Sequence, residues 1–149
     1  MKRGTMRGAG SGAAVCAVAA MLAGCAAPER EPGGAAEPWD EPAEYTYEAT
    51  ITVFGPAAGE WRVTVRNRDV VEVEPLDEEA EYSEGSHGAT AADFLTFSEV
   101  EEWHARLADA AVNRLTRDSD GALASFEVDG SEDVFDDEFT IVVSTVTVP

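Results

Sequence analysis

The chain has 149 residues, of which 10 are basic and 30 acidic, giving a net charge of −20, and it carries 2 cysteines. A surface this acidic repels nucleic acid and anionic lipid headgroups, so neither is an expected partner. The length allows one ordinary domain, and the sequence shows no zinc-type Cys/His set, phosphate-cradling glycine loop or basic aromatic patch that would imply a cofactor.

Lys2, Arg3 and Arg7 precede an apolar run over residues 13–22. That run is shorter than the roughly 20 residues a spanning helix needs, but it has the basic flank, apolar core and small-residue cut site of a signal peptide. It closes on Leu22-Ala23-Gly24-Cys25, which resembles the lipobox of bacterial lipoprotein signal peptides. The resemblance implies that residues 1–24 are removed and that the Cys25 thiol receives a diacylglyceryl group. The chain would then be held at the extracytoplasmic face of the cell membrane. An ordinary secretory cut near Ala26 and an uncleaved anchor are the other readings of this segment. At about 0.8 kcal/mol per buried methylene, one acyl chain is a marginal anchor and two are a stable one. The mature chain keeps seven basic residues against 30 acids, a charge of −23. Cys16 leaves with the signal and Cys25 is taken by lipid, so no disulfide is available and an apolar core must supply the stability.

Residues 25–44 are mostly proline, glycine, alanine and acid, with Trp39 the only large apolar side chain. Such a composition cannot bury enough surface to offset the entropy of ordering, and it predicts a disordered linker. Residues 26–44 would reach at most about 59 Å at about 3.1 Å each. Trp39 is expected to pack on the edge of the domain that follows.

Residues 45–149 read as that domain. Tyr45, Tyr47, Ala49, Ile51 and Val53 alternate with polar neighbours, the period of a half-buried strand. After a turn over residues 55–59, Trp61, Val63 and Val65 alternate in a second strand. Asn67-Arg68-Asp69 turns the chain into a third, residues 70–74, with Val71 and Val73 inward. Short connections of this kind predict an antiparallel meander. Residues 75–92 read as a long irregular loop, a place where function often lies.

Thr96 and Glu99 then form a capping box, and Leu95 with Val100 a hydrophobic staple, at the start of a helix whose Phe97, Val100, Trp103, Leu107, Ala110 and Ala111 share one side. Residues 112–117 fit either a continued helix or an outgoing strand. Asp118-Ser119-Asp120-Gly121 is a turn, followed by a strand over residues 122–129 with Ala124, Phe126 and Val128 inward. A last strand spans residues 138–148, where Val146 and Val148 are out of phase with Phe139, Ile141 and Val143. A bulge near Ser144 restores the register. The expected fold is α+β: an antiparallel sheet of five to six strands with one helix packed on one face, ordered β-β-β-α-β-β with room for an extra strand after the helix.

The YTY opening at Tyr45, the WRVTVRN strand leading into VVEVEPL, the Thr-headed helix, the hairpin at Asp118 to Gly121 and the Asp136-Asp137-Glu138 step together resemble an uncharacterised bacterial family of small extracytoplasmic, often lipid-anchored domains of unknown function. The likeness covers residues 45–148. It implies a strand just before the Asp118 hairpin, and so a helix ending near Ala110. The chain departs from the family in having Asn67-Arg68-Asp69 in place of an Asp-Gly turn, Gly121-Ala122-Leu123 in place of Gly-Tyr-Pro, and no cysteine in the first strand. The resemblance implies a fold and an address but no reaction.

For chemistry the chain offers His87, flanked by Ser86 and glycines in the long loop, and His104 on the helix, where it is expected to be structural. Neither lies in a nucleophile elbow, and carboxylate pairs are too common to single one out as acid and base. Asp118 and Asp120 in one loop, with Asp133 and Asp136 in another, supply the hard oxygens calcium prefers, although neither loop fits the EF-hand pattern. No residue is assigned as catalytic. The expected function is a non-enzymatic binding or interaction module of the cell envelope, monomeric, joined to the membrane through Cys25 and engaging an envelope protein or ligand. An envelope hydrolase using His87 and a calcium-steadied acidic domain are the alternatives.

Overall fold

The computed structural model describes residues 39–131 and 138–149, all within the unit Gly33–Pro149. The signal segment, Cys25 and the linker as far as residue 38 lie outside the described residues, as do Asp133 and Asp136.

Six strands form one antiparallel sheet: β1 (Glu44–Val53), β2 (Gly59–Arg66), β3 (Asp69–Pro75), β4 (Val112–Arg117), β5 (Leu123–Asp129) and β6 (Glu138–Thr147), in the order β3-β2-β1-β6-β5-β4. The alternation in β1 and β2 is realised directly, with Tyr45, Tyr47, Ala49 and Ile51, and Trp61, Val63 and Val65, all buried on the inner face. Asn67 and Arg68 both take positive φ, 55° and 66°, as a two-residue turn of type I′ requires, and Arg68 is held there by donating its amide to Ala43 O at 3.1 Å.

Three strands carry a register shift, and these decide which side chains face inward. In β6, Glu48 pairs with Thr145 but Ala49 with Val143, so Ser144 is the extra residue, as expected. In β3, Thr64 pairs with Glu72 and Val65 with Val70, which leaves Val71 between them. Val71 is therefore exposed and Val70 packs on the core, the reverse of the simple alternation. In β5, Thr116 pairs with Ser125 and Arg117 with Leu123, so Ala124 is the bulged residue and Leu123, not Ala124, is the buried partner of Phe126 and Val128.

The inner face carries two short helices rather than one. Helix α2 (Phe97–Arg106) begins as the sequence predicts: Thr96 accepts from the Glu99 amide while the Glu99 carboxylate accepts from Thr96 N at 2.8 Å. It buries Phe97 and Val100. It ends at Arg106 and not near Ala110, because the Asn113 side-chain amide at the start of β4 donates to the carbonyls of His104 and Leu107, each at 2.9 Å, closing the last turn early. Residues 112–117 are thus a strand.

Residues 75–92 are not an irregular loop. Asp77 accepts from Ala80 N at 2.8 Å and caps helix α1 (Glu78–Tyr82), which runs into a π-helical turn (Ser83–His87) closed by Gly88 at φ 69°. A 3₁₀ turn (Ala91–Asp93) follows, with its own capping box from Thr90. What seats α1 is a gap below it: a Cβ on Gly59, which has φ +112°, would stand 2.4 Å from Ala80 N. Helix α1 lies against β2 and β3, and α2 against β4 and β5.

Candidate functional site

The residues nominated from the sequence do not converge. His87 is exposed at the end of the π-helical turn, its ring centre 5.5 Å from that of Tyr82 in an edge-to-face pair. Among the described residues no carboxylate or serine hydroxyl hydrogen-bonds it, so no relay to a nucleophile is assembled. His104 is structural: it donates from Nδ1 to Asn113 Oδ1 and meets Phe126 edge-on at 5.9 Å. Asp118 uses its carboxylate to hold its own hairpin, accepting from Asp120 N at 2.9 Å and Ala122 N at 3.0 Å, while Gly121 supplies φ 87°. Asp133 and Asp136 fall outside the described residues, among which no group of three or more His, Cys, Asp or Glu could hold a metal.

The open face of the sheet is polar. Arg62 bridges Glu48 at 2.8 Å and Glu74 at 2.6 Å across three strands, and these two carboxylates hold its guanidinium still further above its usual range. Thr50, Thr52, Thr64, Thr140 and Thr145 lie on the same face, a hydroxyl-rich surface, and at its edge a mixed polar hollow of ≈ 220 Å³ lies among Glu44, Thr46, Thr64, Arg66 and Thr147.

Residues 39–44 are tied to the domain, although their composition reads as linker. The Trp39 ring lies 5.5 Å from Tyr45 and 5.8 Å from Phe97, the edge packing expected of it, and its amide donates to Gly121 O at 3.2 Å. The Glu41 carboxylate accepts from Phe97 N at 3.0 Å, from the Ser98 hydroxyl and from the Tyr45 hydroxyl. An acid is thereby held at the N-terminus of α2, where the helix dipole favours it.

The most apolar of the hollows described lies along the other flank of α2. Helices α1 and α2 are seated over outer strands, and the central pair β1 and β6 lies between them. Beside α2 is a hollow of ≈ 320 Å³ whose apolar lining is Val53, Trp103, Leu107, Val128 and Phe139. A second hollow of ≈ 360 Å³ adjoins it across Trp103, between Leu95, Glu99, Glu102 and Arg106. The Trp103 ring stands 4.9 Å from Phe139 and 5.7 Å from Phe126, which fixes it as a firm wall. Together these hollows form a trough that is apolar on the Phe139 side of Trp103 and mixed on the Leu95 side, with Glu102, Glu138 and Arg106 exposed on its lips. A cavity of about 150 Å³ is enough to take a benzene ring, so each half has room for an apolar side chain.

The sequence period puts Val53, Trp103, Leu107, Val128 and Phe139 on inward faces. The period could not show that they line a hollow, since that depends on how α2 sits against three strands from separate segments, β1, β5 and β6. Among the described residues no helix is long and apolar enough to cross a membrane.

Residues 35–148 match the Family of unknown function (DUF6174), and the chain belongs to that family. No curated protein and no solved structure matches it.

Proposed function

We propose that this member of the DUF6174 family is a lipid-anchored, extracytoplasmic binding module of a bacterial envelope, non-enzymatic, that docks another envelope component in the trough beside α2. The observation that carries this reading is the trough: an open, mainly apolar hollow walled by Trp103 and floored by Val53 and Phe139 on the two central strands. Apolar concave sites with an aromatic wall are where proteins concentrate binding energy. The address rests on the Leu22-Ala23-Gly24-Cys25 pattern behind its short apolar run.

Two measurements test it. The intact mass of the native protein should begin at Cys25 with a diacylglyceryl group, and Cys25→Ala should release the protein from membranes. A photo-crosslinking residue at Leu107, introduced into the full chain in cells, should give an adduct of defined mass, whereas one at Thr50 on the open face should not. An unmodified Cys25 sinks the anchoring, and a crosslink at Thr50 alone sinks the docking surface.

A further inference from the structure

The trough carries a statement about the chemistry of its occupant, and this rests on the docking surface just proposed. On the Phe139 side its floor and wall are apolar, but its lips are not neutral: Glu102 and Glu138 are exposed and without an ion pair among the described residues, and Glu99 stands beside Glu102 with its carboxylate turned back to Thr96. Among the described residues Arg106 is the only cation lining either hollow. Around this lies a chain of net charge −20, whose field draws cations towards it and repels anions. Phe54, next in sequence to Val53 of the floor, is 82% exposed and adds an unburied aromatic ring at that end of β1.

We infer that the trough receives a basic, apolar peptide segment of a partner protein, one that inserts one or two aliphatic side chains against Trp103 and sets lysine or arginine against Glu102 and Glu138. An acidic or purely polar segment lacks one half of this match. Apolar burial supplies the affinity, and the carboxylates set the choice of partner.

The test is an NMR titration of the purified full chain, in a neutral detergent, with three blocked tetrapeptides: Lys-Leu-Leu-Lys, Glu-Leu-Leu-Glu and Lys-Ser-Ser-Lys. The first should shift the amide signals of Leu107 and Phe139 saturably, bind at least tenfold more tightly than the other two, and weaken as salt is raised. The paired variant Glu102→Lys and Glu138→Lys, at exposed positions that do not support the fold, should reduce its affinity at least tenfold. Equal binding of the acidic peptide overturns the charge assignment, and equal binding of the serine peptide overturns the apolar one. Shifts centred on Thr50 and Thr140, or no binding by any peptide, also overturn the inference. The docking surface itself is judged separately, by the crosslink at Leu107.

Discussion

The two helical covers on the inner face begin in the same way and are held in different ways. Each opens on a capped N-terminus, Asp77 for α1 and Thr96 for α2. Beyond that, α2 carries its own apolar stripe and places Phe97 and Val100 in the core, whereas α1 buries Ala80 alone. Helix α2 is secured by what it presents, α1 by what the sheet leaves out beneath it. A stripe belongs to one segment and can be read there. A seat belongs to two segments and exists only after the chain has folded.

The sharpest way to break this contrast is to fill the seat. Gly59→Val combines a positive φ with a side chain driven into the backbone of Ala80, and should cost roughly 3 kcal/mol in urea unfolding. A loss below about 0.5 kcal/mol would mean that α1 needs no such gap. Next comes the cap that also ties α1 to the sheet. Asp77 accepts from Glu60 N at 3.1 Å as well as from Ala80 N, so Asp77→Ala should cost about 2 kcal/mol, more than an ordinary cap.

Tyr47 tests the join between the covers, since its hydroxyl donates to Leu95 O at 2.7 Å. Burial, and then the negative charges of Glu99 and Glu41, push its pKa well above the ordinary 10.0. Tyr45 is pushed the same way, first by burial and then by its hydrogen bond to Glu41. The unfolded chain therefore gives up these protons first as pH rises. Stability should be fully present below pH about 10 and fall above it, by about 1.4 kcal/mol per pH unit for Tyr47. Denaturant midpoints at pH 9 and pH 11 measure the slope, which Tyr47→Phe should flatten. The smallest effect is expected at the cap of the better-anchored cover: Thr96→Ala should cost about 1 kcal/mol, because Phe97 and Val100 still hold α2 down. If it costs more than Asp77→Ala, the contrast between the covers is reversed.

The same distinction explains what could be read before folding. Five of the six strands, most of their inward faces and the bulge at Ser144 follow from period-two alternation, residues 112–117 fit a longer helix as well as a strand, and the Thr96 cap follows from a four-residue pattern. Val71 and Ala124 were placed on the wrong face because a bulge resets the period within a strand, and only the partner strand reveals it. Helix α1 was missed because Glu78–Tyr82 has a cap but no stripe. The end of α2 was misplaced because its terminator, Asn113, comes from the next strand. The trough could not be drawn for a similar reason. Trp103, Leu107, Val128 and Phe139 are legible as apolar and inward, yet the space they share is set by how α2 sits over the ends of β1, β5 and β6.

The attachment at residues 39–44 bears on how the domain answers a load. The chain enters past Trp39 and the Glu41 clip and passes directly into β1, which is laddered to β2 on one side and β6 on the other. A pull delivered from upstream would meet the clip first and then drag a middle strand lengthwise between two neighbours, where many ladder bonds must slide at once instead of peeling one by one. The clip at Trp39 and Glu41 would give way before the sheet did, and the domain would stay folded behind it.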